Sequence, residues 1–158
     1  MVQSEVQEEI YMAVQTVFKR FELKYLLNAE QKERVLQAME PYMTLDGYGR
    51  TTIRNIYFDT DNYRLVRHSI EKPVYKEKLR IRSYRQAEED STVFVELKKK
   101  YRKVVYKRRV SLPEKEAMEW VSGRNRCHGD SQIAGEVDYF LKYYQQLYPT
   151  VFLSYERA

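Results

Sequence analysis

Between Lys72 and Arg109 the sequence places 14 Lys and Arg against five Asp and Glu, a surplus of nine cations in a chain whose whole net charge is +5. These cations are spaced with period two rather than clustered. In V-Y-K-E-K-L-R-I-R-S-Y-R, residues Lys76, Lys78, Arg80, Arg82 and Tyr84 share one parity, and Leu79 and Ile81 share the other. In T-V-F-V-E-L-K, residues Phe94, Glu96 and Lys98 oppose Val93, Val95 and Leu97. In V-V-Y-K-R-R-V-S, residues Val105, Lys107, Arg109 and Ser111 oppose Val104, Tyr106, Arg108 and Val110. Period two is the signature of a strand. Same-face residues then stand ~6.6 Å apart along each strand. Neighbouring strands make a lattice of cations whose spacing suits a chain of phosphates. One such strand would be an ordinary solvated sheet face. Three in succession repel one another unless an anion lies between them.

The elements that must position this lattice are legible as well. Residues 1–15 are polar and acidic and read as a leader or a short amphipathic helix, with the domain over 16–158. A first strand is predicted over Thr16–Leu27, with Phe21, Leu23, Tyr25 and Leu27 on one face and Arg20, Glu22 and Lys24 on the other. Asn28 caps a helix through Glu40, with Gln31 completing a capping box and Val35, Leu36 and Met39 as its buried side. A strand follows over Thr51–Asp59. A short helix then starts at Thr60 or Asp61. After the three basic strands, S-L-P-E opens a helix, with Ser111 as cap and Glu114 three residues on. A helix over Ser131–Tyr148 carries the stripe Ile133, Val137, Phe140, Leu141, Tyr144 and Leu147. Val151 to Arg157 starts a last strand.

The charged faces invert the usual pattern, in which an antiparallel sheet turns its charges to bulk water. If the sheet curls into a barrel with the helices outside, the charges line a tunnel. The expected fold is therefore α+β, an antiparallel barrel. A basic tunnel needs an anionic occupant. The carboxylates among the cations, Glu22 and Glu96, suggest a divalent metal shared with that occupant, because Mg²⁺ takes one or two carboxylates plus phosphate oxygens and waters.

Other chemistries are poorly served. Cys127 is the single cysteine, so no internal disulfide framework exists, and Cys127 with the adjacent His128 and a distant His68 makes a poor zinc site. No G-x-x-x-x-G-K-[ST] phosphate loop occurs. No N-terminal apolar run fits a signal peptide and no stretch approaches the length of a membrane span. The expected location is cytoplasmic, and a membrane partner stays open. Aromatics alternating with cations would also suit single-stranded RNA, but Tyr84, Tyr101 and Tyr106 form no RNA-binding signature, so no nucleic acid is expected.

Five segments resemble one family. R-F-E-L-K-Y, N-I-Y-F-D-T, K-L-R-I-R-S-Y, V-E-L-K-K and Y-K-R-R-V, in this order and at these spacings, are similar to the VTC (vacuolar transporter chaperone) domain, a relative of the CYTH-type triphosphate tunnel metalloenzymes. The resemblance covers about Phe18 to Arg157. It implies an antiparallel tunnel that binds ATP triphosphate or inorganic polyphosphate with Mn²⁺ or Mg²⁺. It also implies either ATP-dependent polyphosphate polymerisation or, in the hydrolase branch, triphosphate cleavage. A polyphosphate binder without turnover is a further alternative. By the resemblance, Lys24, Arg80, Arg82, Lys98, Lys107, Arg109 and Arg157 would hold phosphate, with Lys78 added by its place in the lattice. Arg80, Arg82 and Lys98 would be the catalytic cations, and Glu22 and Glu96 the metal carboxylates. The hydrolase branch carries E-x-E-x-K in its first strand. Here the same register reads Arg20, Glu22, Lys24, which points away from that branch. Domains of this kind continue past Y-E-R with further strands and a metal-binding glutamate, so the chain reads as the N-terminal and central part of the domain.

Overall fold

The structure is a computed structural model that describes residues 17–20, 23–44, 47, 49–125 and 131–157. Six strands are described: β1 (Val17–Arg20), β2 (Thr51–Asp59), β3 (Tyr75–Ser83), β4 (Thr92–Tyr101), β5 (Val104–Pro113) and β6 (Tyr148–Arg157). Four helices join them: α1 (Ala29–Met39), α2 (Arg64–Ile70), α3 (Glu114–Val121) and α4 (Gln132–Tyr144). The strands form one antiparallel sheet in the order β1-β5-β4-β3-β2-β6. The fold is α+β, as the patterning predicts. Among the described residues the sheet is open, with β1 and β6 as its edges, so it forms a trough rather than a closed barrel.

The meander β3-β4-β5 follows from its turns. Arg102 and Lys103 both take positive φ, 46° and 72°, the two-residue turn whose twist matches a tight hairpin. The register pairs Lys78 with Lys98 and Lys98 with Lys107, and Arg80 with Glu96 and Glu96 with Arg109. The alternating cations of the three strands therefore fall on one shared face. Leu79, Ile81, Val93, Val95 and Leu97 lie on the other face and pack with Trp120, Val121, Val137 and Phe140 of α3 and α4. Trp120 meets its one polar requirement by donating its indole N–H to Asp138 at 2.6 Å.

Several boundaries differ from the sequence pattern. The first strand ends at Arg20 among the described residues, and residues 23–28 are irregular. Glu22 lies outside the described residues, as do residues 1–16, Phe21, Cys127 and His128. The capping box at Asn28 and Gln31 is present. Yet α1 buries none of its residues, and Val35, Leu36 and Met39 are exposed, because no described element covers that side. Ser111 is no cap. The β5–β4 ladder extends to Pro113, which holds Ser111 in extended backbone and leaves Pro113 at the start of α3. The last helix stops at Tyr144, where Gln145 turns to φ 62°, so Leu147 is buried outside the helix and the final strand begins at Tyr148.

The cap of α2 is Asp59, the buried last residue of β2. Its carboxylate accepts the backbone N–H groups of Thr60, Leu65 and Val66 at 2.8, 2.8 and 2.9 Å. Three charge-assisted bonds on one side chain fix the angle at which the chain leaves the sheet. Asp59→Ala should lower the stability by about 2 kcal/mol, and Asp59→Asn by less. Urea unfolding reads this directly, and an alanine variant as stable as the wild type would contradict it.

Candidate functional site

The polar face of the sheet is built around one carboxylate. Glu96, in the middle of β4, is fully buried. Arg80 on β3 donates Nε and Nη2 to its Oε2 at 2.8 and 2.6 Å. Arg109 on β5 donates Nε and Nη2 to Oε1 at 2.8 and 2.6 Å. Lys107 Nζ lies 3.4 Å from Oε1 and Arg82 Nε 3.9 Å from Oε2. The cross-strand register makes this unavoidable, since Arg80, Glu96 and Arg109 are direct partners in one row.

Four cations surround one anion. The helix-covered face treats its cations differently: Lys99 and Arg108 are both met by Glu136 of α4, at 3.1 and 3.3 Å. Among the described residues, three positive charges remain in excess around Glu96 on the polar face, on side chains only 10–12% exposed. Such an excess favours an anion strongly, because water screens it poorly.

Aromatic and amide groups hold the cations from the outside. Tyr57 OH accepts Arg80 Nη1 at 2.7 Å, and Tyr84 OH accepts Arg109 Nη2 at 3.1 Å. Arg82 donates Nε to Asn55 Oδ1 at 2.9 Å and Nη2 to Tyr155 OH at 3.3 Å. Lys107 Nζ stands 3.7 Å from the Phe18 ring centroid, and the Arg109 guanidinium 4.4 Å from that of Phe94. The sequence pattern misses these supports. The signal was the abundance of tyrosine, 15 residues, whose rings pack while their hydroxyls reach polar sites.

Of the residues singled out by sequence, Arg80, Arg82, Lys107 and Arg109 converge on Glu96. Lys78 and Lys98 form the adjacent row with Lys107 and are half-buried. Arg157 shares the parity of Tyr155 on β6, but it is exposed and pairs with Thr51 at the far end of the trough. Lys24 is exposed and lies in the irregular segment 23–28, outside the described strands. Lys76, of the same parity as Arg80, turns its ammonium to the Ser69 carbonyl at 3.1 Å.

Glu96 does not fit a metal. Both its oxygens already accept two guanidinium N–H groups, and the surrounding excess charge is positive. Among the described residues no three His, Cys, Asp or Glu side chains cluster in a way that could hold a metal ion. A separate cavity of about 710 Å³ lies between α2 and α4, on the helix-covered face, lined in part by Arg64, Glu77, Tyr139 and Tyr143. It shares no residue with the cation row.

Burial opposes the charge on Glu96, but the attraction of Arg80, Arg82, Lys107 and Arg109 prevails and holds its carboxyl down at about 2. Burial also pushes the Lys107 ammonium down; Glu96 partly restores it, Arg109 and Arg82 oppose it, and the result is about 8. A lysine depressed in the folded state loses its proton there before it does in the unfolded chain. Its contribution to stability therefore rises with pH between about 8 and the ordinary 10.5. In urea unfolding at pH 7.5 and pH 10, the wild type should gain stability relative to Lys107→Arg at the higher pH. A difference that stays flat with pH would contradict this.

Comparisons with known proteins bear on the fold and the family. No curated protein sequence matches the chain. A solved structure from Bacillus halodurans, described as a "putative adenylate cyclase", superposes with a TM-score of 0.54 at 20% identity, over 90% of this chain and 64% of that one. At that identity the match shows the fold alone, and the chain spans 64% of the neighbour's length. The shared fold is consistent with the expected relation of the VTC domain to the CYTH type. No helix among the described residues is long and apolar enough to cross a membrane. The family model for the VTC domain matches residues 19–158, and the chain belongs to that family.

Proposed function

We propose that the polar face binds the triphosphate of ATP and inorganic polyphosphate, and that the domain transfers phosphoryl groups as an ATP-dependent polyphosphate polymerase. The observation that carries this reading is the excess of three positive charges packed around buried Glu96 on one sheet face. A linear polyanion neutralises that excess along the trough, from the lysine row of Lys78, Lys98 and Lys107 to Arg82.

Phosphoryl transfer asks a protein mainly for positioning and charge neutralisation. In the proposed reaction a terminal oxygen of the polyphosphate chain attacks the γ-phosphorus of ATP. The bond from that phosphorus to the bridging oxygen breaks, and ADP leaves with the electron pair. Arg80 and Arg82 would hold the transferring group, and Lys98 with Lys107 the chain it joins. Proteins of this fold class generally use a divalent metal. Among the described residues no cluster of carboxylates, histidines or cysteines provides its seat.

A second reading is favoured by the open sheet. In a trough the phosphates stay partly in water, where each cation contributes less than in an enclosed site. That supports binding without turnover.

Incubation with ATP and Mn²⁺, followed by separation of polymer from free phosphate, tests both. Polymer is expected for the polymerase. Retention of polyphosphate without polymer or free phosphate selects the binder, and release of free phosphate alone would select a hydrolase. Under either of the first two readings, tripolyphosphate at about 100 times its Kd should stabilise the protein by about 2.7 kcal/mol, a rise in Tm of several degrees. Sodium chloride at equal ionic strength should do much less. Equal shifts from the two would indicate general screening and contradict a phosphate site.

A further inference from the structure

We propose that Glu96 is a positioning residue for the anion site: it sets the two arginine forks at the angle a polyphosphate needs, and holds no metal itself. The inference rests on the phosphate-binding reading above and deepens it.

A guanidinium carries five N–H groups in a rigid plane. Glu96 takes two from Arg80 and two from Arg109, through the Nε/Nη2 edge of each. Tyr57 takes one from Arg80 Nη1, and Tyr84 one from Arg109 Nη2. Among the described residues two N–H groups are then left on each arginine, one each on Nη1 and Nη2 of Arg80 and both on Nη1 of Arg109. These free donors are held in place because every other donor on the same plane is fixed. A planar fork whose orientation is fixed loses less entropy when it grips phosphate.

A carboxylate in this place has a cost. It cancels one of four positive charges at the spot where an anion is to bind. Were charge alone important, removing it would improve binding. Gln keeps the shape of Glu96 but not its function, since its amide nitrogen would meet one of the two forks donor against donor. One arginine is then released from its alignment while the site becomes more positive. Electrostatics and positioning thus predict opposite signs for one substitution.

The test is calorimetric titration of the whole chain with tripolyphosphate and with sulfate, for the wild type, Glu96→Gln and the Tyr57→Phe/Tyr84→Phe double variant, with circular dichroism and Tm recorded for each. The wild type should bind tripolyphosphate and prefer it to sulfate. Glu96→Gln should bind tripolyphosphate at least 10-fold more weakly despite its added net charge, and its preference over sulfate should shrink. The double tyrosine variant keeps Glu96 and loses only the outer braces. It should remain folded, lose about 5-fold in tripolyphosphate affinity, and lose part of the same preference. It decides the question if Glu96→Gln fails to fold. Binding by Glu96→Gln as tight as or tighter than wild type, or a folded double variant with unchanged affinity and preference, would overturn the positioning role and leave the phosphate site standing. A wild type that ignores tripolyphosphate would instead overturn the functional reading on which this one rests.

Discussion

The structure depends on the ionised state of one buried side chain. Glu96 is wholly enclosed, and an isolated carboxylate there would cost several kcal/mol. It is tolerated because Arg80 and Arg109 meet it with paired charge-assisted bonds from both neighbouring strands. The dependence also runs the other way. Without Glu96 the three central strands would bring Arg80, Arg82, Lys107 and Arg109 together with no described carboxylate among them. The same carboxylate thus lets the sheet assemble and leaves it short of negative charge. The mismatch of four to one connects the stability of this sheet to its proposed use.

The two faces of the sheet solve the same problem differently. On the helix side, Lys99 and Arg108 are closed off by Glu136, and the core of Leu79, Val95, Leu97, Trp120 and Val137 excludes water. Two cations share one carboxylate there, a smaller surplus than the four around Glu96. On the other side, among the described residues, Glu96 is the anion within the row, and tyrosines and Asn55 fill further donor needs without adding negative charge. Neutral acceptors orient a cation and leave its charge available. Carboxylates in their place would have oriented it equally well and cancelled it.

Much of this was legible in the sequence. Period-two alternation through Lys78–Arg80–Arg82, Glu96–Lys98 and Lys107–Arg109 is strong enough to assign faces, because a one-residue slip would bury charges in the core. The sequence could not show which lattice positions become neighbours. Glu96 reads as a metal carboxylate until the register places it between two arginines. Closure was not legible either, since sheet curvature depends on pairing at the edges, and the described β1 and β6 do not meet. The apolar residues of α1 read as core because helical periodicity records which side is apolar and not what covers it. Ser111 failed as a cap for a related reason: a local capping motif lost to a longer ladder.

The most direct test of the central claim is a crystal structure of the protein with tripolyphosphate. The account predicts the phosphates along the polar face, with oxygens within hydrogen-bond distance of the outer N–H groups of Arg80 and Arg109 and of Lys107, while Glu96 keeps its bonds to both arginines. Tripolyphosphate seated in the cleft between α2 and α4, or Glu96 turned away from the arginines to hold a metal, would contradict it.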